Sequence, residues 1–193
     1  MAYRVWTFLA ALAVLSACSH PTGWIDAATT PAEDRTLSQV ATDGEIRLDL
    51  NKKLLGDKYR DLFFEVSTDV YEGRVMLTGS VKSTESKNRI TALAQDITGV
   101  RTIYNNMQVT DAGGFKKAAN DVWIESKIKA RLVAEKGVRS INMRWRVVNG
   151  VVYIIGRART DAELGKVMTV LRDIDHVENV VSHIVVKPAP KET

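Results

Sequence analysis

Gly73-Arg-Val-Met-Leu-Thr-Gly79 and Gly150-Val-Val-Tyr-Ile-Ile-Gly156 are the two stretches on which the fold turns. They superpose at an offset of 77, and the register runs without a gap to Val109 and Val186. Along it Val75 falls on Val152, Asp96-Ile97 on Asp173-Ile174, and Val100 on Val177. Upstream, Ile46, Leu50 and Leu54 match Ile124, Ile128 and Leu132 at an offset of 78, so a single inserted residue separates the two registers. Self-similarity over this span means that one module occurs twice.

Each copy has the same pattern. Ile46, Leu50 and Leu54, four residues apart, predict a helical apolar stripe, entered through Asp43 as N-cap and left at Gly56. Phe64, Val66 and Val70, then Val75, Leu77 and Val81, alternate as two strands around a Glu72-Gly73 turn. In the second copy Ile141, Met143, Trp145 and Val147, then Val152 and Ile154, alternate around Asn149-Gly150. Asn-Gly between such runs is a strong hairpin signal, because both residues tolerate positive φ. A second helix is predicted over Ser83 to Thr98 and Thr160 to Asp175, followed by a strand ending near Val109 and Val186. The fold class is therefore α+β: tandem α-β-β-α-β modules, each with two helices on one face of a three-stranded mixed sheet, closed by a right-handed crossover. The boundaries read as 43–110 for the first module, 111–118 for a linker, 119–187 for the second module and 188–193 for a tail.

Residues 1–17 combine a basic start at Arg4, an apolar run from Val5 to Leu15 and a small-residue end. The run is too short for the ~20 residues that span a bilayer, which predicts a signal peptide. Leu15-Ser16-Ala17-Cys18 resembles the lipobox of bacterial lipoproteins, which implies that Cys18 is the lipid attachment point. Ser19 is not the Asp that favours inner-membrane retention, which points to the periplasmic face of the outer membrane. Residues 18–42, rich in Thr, Ala, Pro and Asp, read as the lipidated Cys and a flexible tether of about 25 to 30 Å.

The module order, the glycine pairs and the Gly99-Val100 and His176-Val177 steps before the last strands resemble the BON domain family. Two modules behind a lipobox, with Asn120-Asp121-Val122-Trp123-Ile124 opening the second, are similar to the dual-BON outer-membrane lipoproteins. His176 departs from the pattern, standing where the family usually has Gly. The resemblance implies an envelope-facing role without catalysis, tied to phospholipid binding, outer-membrane integrity and stress tolerance.

Composition narrows the chemistry. The 193 residues carry a net charge of +4, one Cys and three His. A lone Cys forms no internal disulfide and does not anchor a zinc cluster. His20 lies in the tether and His176 and His183 at opposite ends of a strand, and there is no nucleophile elbow or phosphate loop. No enzyme, cofactor or metal site is expected. Nucleic acid is also disfavoured, because the basic excess is modest and secretion removes the chain from it.

Differences between the copies point to function. Residues 43–110 carry 10 basic and 10 acidic side chains, whereas 119–187 carry 12 and 8. On the first helix of the second module, Trp123, Lys127, Ala130, Arg131 and Ala134 share one flank beside the buried stripe, where the first module has Glu45, Asp49 and Lys53. An indole beside cations suits an anionic phospholipid surface, where each Lys or Arg contributes about 1 kcal/mol. The competing assignment is that Trp123 packs across the interface between modules or against its own sheet, with Lys127 and Arg131 merely solvated. A possible secondary basic face comprises Arg144, Arg146, Arg157 and Arg159 on the sheet face opposite the helices, beside Val151, Tyr153 and Ile155. That face either packs on its counterpart in the first module, which carries Asp69, Met76 and Tyr104, or is itself a lipid or partner surface. The leading expectation is a lipid-anchored protein that binds anionic phospholipid and supports the outer membrane. The alternative is a protein-interaction module acting on envelope or outer-membrane assembly machinery, with the lipid only as a tether.

Overall fold

The computed structural model describes residues 33–56, 66–110 and 115–189. Cys18, the signal peptide, most of the tether, Phe64 and the end of the tail lie outside the described residues. In chain order the elements are α1 (Leu37–Leu55), β1 (Val66–Tyr71), β2 (Arg74–Val81), α2 (Thr84–Gln95), β3 (Thr102–Asn105), β4 (Gln108–Val109), α3 (Phe115–Ala134), β5 (Met143–Val148), β6 (Val151–Ala158), α4 (Asp161–Arg172) and β7 (Asn179–Val186). A single 3-10 turn, Ser140–Asn142, precedes β5.

Both modules are α-β-β-α-β, as the repeat predicts. β1 and β2 pair antiparallel, with Tyr71 opposite Arg74, and β5 and β6 do the same, with Val148 opposite Val151. The last strand of each module runs parallel to the second, through β3 and β4 in one and β7 in the other. The first module's last strand is broken at Asn106-Met107, whereas β7 is continuous. Each helix pair buries its stripe on one sheet face. Ile46, Leu50, Leu54, Ile90 and Ala94 close over Val75 and Leu77. Ile124, Ile128, Leu132, Val167 and Leu171 close over Val152 and Ile154.

Four local readings are corrected. Asp43 is not the N-cap of α1. Thr36 is, through a capping box in which its hydroxyl accepts from Gln39 N–H and the Gln39 side chain accepts from Thr36 N–H. Asp43 lies in the second turn, buried, with its carboxylate accepting from the backbone N–H of Glu72 and of Gly73, both at 2.7 Å. Structure also begins before residue 43: Asp34 and Arg35 are buried, so the last ten residues assigned to the tether belong to the folded body. α3 likewise opens at Phe115, inside the expected linker. The second helices end at Gln95 and Arg172, a turn sooner than periodicity predicts.

Asp121 repeats the Asp43 device, accepting from the N–H groups of Asn149 and Gly150 at 2.8 Å. Both hairpin turns hold two successive positive φ values, at Glu72-Gly73 and Asn149-Gly150. That geometry points two backbone donors to one side, and an aspartate on the first helix satisfies them in each copy.

The sheets meet face to face. Tyr71, Met76, Tyr153 and Ile155 are buried between them, with Tyr104, Val148, Val151 and Val181 packed around. The order of layers is helices, sheet, sheet, helices.

Candidate functional site

Trp123, Lys127, Ala130, Arg131 and Ala134 are all exposed along one side of α3. Ile124, Ile128 and Leu132, fully buried, fix this orientation by locking the neighbouring side of the helix to its sheet. Trp123 does not enter the interface between modules: 39% of its surface is open. Lys127 Nζ lies 5.2 Å from its ring centroid, within cation–π range. The His176 ring meets the indole edge-on at 5.8 Å.

His176 adopts a left-handed φ of 66°, and Gly99 at the equivalent position has φ 89°. The turn before the last strand thus forms in both copies, and in the second it brings an imidazole beside Trp123. Arg131 is held differently from Lys127. Its guanidinium donates to the Asp173 carbonyl at 2.9 Å and to the Asp173 carboxylate at 2.6 Å, which ties α3 to the end of α4 and offsets its charge.

Two exposed apolar residues were not singled out from sequence. Val122 is 64% exposed and Val133 67% exposed, flanking the same basic surface. Their signal was present as apolar residues off the Ile124-Ile128-Leu132 stripe. Lys129 lies between them and is also exposed. The outer surface of α3 therefore carries large apolar groups and ammonium groups together. Among the described residues, no helix is long and apolar enough to cross a membrane, and no group of three or more metal-ligating side chains converges.

The four arginines of the sheet face occupy the seam between modules. Arg146 Nε lies 2.9 Å from Asp69. Arg144 donates to Glu33 at 2.5 Å. Arg157, 3% exposed, donates to the Asp34 carbonyl at 2.7 Å and to the carbonyls of Lys187 and Pro188. Arg159 Nε approaches Asp34 at 3.8 Å and Glu163 at 3.5 Å. Around the rest of the seam, Arg74 donates to the carbonyls of His183 and Gly156, both at 2.8 Å. Gln108 donates to Val148 O and Tyr153 Oη. The His183 ring stacks on Tyr104 at 3.9 Å and donates through Nε2 to Asn106 Oδ1. Burial, and then the nearby Arg74 charge, lower the pKa of His183.

Comparison with known proteins places these features in a wider set. The BON domain profile matches residues 42–111 and 120–188. The chain is 33% identical over 146 residues to the "Uncharacterized protein in gshII 5'region" of Anaplasma centrale, covering 75% of this chain and 95% of that one. It is 24% identical over 155 residues to the outer membrane lipoprotein DolP of Haemophilus influenzae, covering 80% of each. It is also 24% identical over 159 residues to the 21 kDa hemolysin of Actinobacillus pleuropneumoniae, covering 81% of each.

Proposed function

The chain belongs to the BON domain family, with two copies of the domain, and from that premise we propose that it is a lipid-anchored protein of the outer membrane's periplasmic face. In this reading its second module binds anionic phospholipid and supports outer-membrane integrity. The work is binding rather than catalysis.

The observation that carries the reading is the outer surface of α3. Trp123, Val122 and Val133 offer apolar area at the depth of lipid headgroups, while Lys127 and Lys129 face the phosphates. The equivalent positions of α1 include Glu45 and Asp49, which would repel the same surface. Lys127 supplies more of the attraction than Arg131, whose charge is already met by Asp173. The envelope assignment draws on the similarity to an outer membrane lipoprotein and on the lipobox resemblance at Cys18.

Vesicle flotation with phosphatidylglycerol or cardiolipin, using the chain from Ala28 onward, tests the lipid contact. Binding is expected to weaken with added salt and to be lost in Trp123→Glu, with the circular dichroism of the fold unchanged. Lys127→Glu should reduce binding more than Arg131→Ala. Equal binding by wild type and Trp123→Glu would refute the proposal. Fractionation of Cys18→Ser with the soluble proteins is the expected outcome for the anchor, and membrane retention through its N-terminus would overturn it.

A further inference from the structure

Glu33 and Asp34 lie against the second module as a ligand lies in a receptor. Asn142, fully buried, reads Asp34 at two points: its Oδ1 accepts from Asp34 N–H at 2.9 Å and its Nδ2 donates to the Asp34 carboxylate at 2.7 Å. Arg157 donates to the Asp34 carbonyl. Arg139 and Arg159 each approach the Asp34 carboxylate at 3.8 Å. Arg144 holds Glu33 at 2.5 Å. The partners are 105 to 125 residues apart in sequence, so nothing local imposes the contact.

The receiving side is built independently of its occupant. Glu163, buried in the first turn of α4, accepts from the N–H groups of Arg139 and Arg159 at 2.7 Å and so fixes the two arms that flank Asp34. The Cβ-free Gly156 lets the Asn142 backbone approach β6 closely, since an added Cβ would lie 2.2 Å from Asn142 O. The side chains of Arg139, Arg144 and Arg159 remain about a third exposed, so an incoming carboxylate can reach them. The segment contributes neither strand nor helix, and its side-chain hold on the first module runs through one residue, Arg35, which pairs with Asp43 and lies 4.3 Å over the Tyr71 ring.

We propose that Asn142 with Arg139, Arg144, Arg157 and Arg159 forms a binding site for an acidic peptide segment, and that Glu33-Asp34 is its resident, displaceable occupant. A Glu-Asp pair on a partner polypeptide would present the same carboxylates and the same backbone groups. The tethered occupant competes at high effective concentration, so the site admits a partner in trans only when the partner is abundant or the strap is released. This site lies on the seam, away from the α3 surface assigned to lipid.

A labelled peptide of residues 29–37 tests the site by fluorescence anisotropy against the chain from Ala28 onward. The Glu33→Ala/Asp34→Ala double variant should bind it at least tenfold more tightly than wild type. Adding Asn142→Ala or raising the salt should remove that binding. A folded double variant that ignores the peptide, or wild type that binds it equally well, would overturn the proposal. So would a double variant that gains affinity for phosphatidylglycerol vesicles but none for the peptide. Should the double variant fail to fold, wild type still decides. Excess peptide should speed amide hydrogen exchange at Asp34, whose N–H is held by Asn142, and unchanged exchange would refute displacement.

Discussion

Single positions carry much of the difference between the two copies. His176 holds a left-handed φ without being glycine, a conformation that costs an L-residue about 1 kcal/mol. Its ring contacts Trp123, a half-exposed pair at the low end of aromatic pairing energies, about 0.5 kcal/mol. His176→Gly is therefore expected to raise stability by about 0.5 kcal/mol in urea unfolding while changing Trp123 fluorescence. Gly156 tolerates no such exchange. A Cβ there would lie 2.2 Å from Asn142 O and 2.8 Å from Met143 Cα, both backbone atoms. Gly156→Ala should cost about 3 kcal/mol by the same measurement.

Between elements, the common device is an aspartate on the first helix that clamps the hairpin turn. Glu72 is neither Gly nor Asn, yet it adopts φ 51°, held by Asp43 through its own N–H and that of Gly73. A hydrogen bond to a charged group contributes about 1.5 to 3 kcal/mol. Asp121→Ala should lose about 3 kcal/mol, and Asp43→Ala about 4 kcal/mol because Arg35 also loses a partner. Denaturant unfolding gives the magnitudes, and fast exchange at residues 72–73 or 149–150 would locate them. Periodicity and the repeat made the elements and core stripes legible, because burial of Ile46 or Ile124 follows from spacing alone. The role of Asp43 was not legible. An acid three residues before the first stripe residue looks like a cap, and its true partners lie about thirty residues away in the turn. The earlier cap was present as Thr36-x-x-Gln39, in a segment whose composition resembles a tether.

Across the whole molecule, the seam combines buried tyrosines with a polar rim, and His183 makes it sensitive to acid. The fold favours the neutral imidazole, since burial and Arg74 depress its pKa below the ordinary 6.5. The His183 contribution to stability is thus complete above about pH 6.5. As pH falls further the unfolded chain takes up a proton before the fold does, so stability drops by up to about 1.4 kcal/mol per pH unit until the folded pKa is reached. Unfolding titrations of wild type and His183→Gln should diverge on that acid side, with the variant showing the flatter profile. The composition of the two outer sheet faces was legible in sequence, with Met76 and Tyr104 facing Tyr153 and Ile155 across acids and arginines. The strap was not, because Glu33 and Asp34 act over more than a hundred residues and no periodicity marks them.

Stacking the sheets back to back also sets the valence of the array. Each module spends its sheet face on the other, burying Tyr71 and Met76 against Tyr153 and Ile155, so a third copy would find no such face on which to dock. The tandem closes at two, and the broad outer layers left for other molecules are helical.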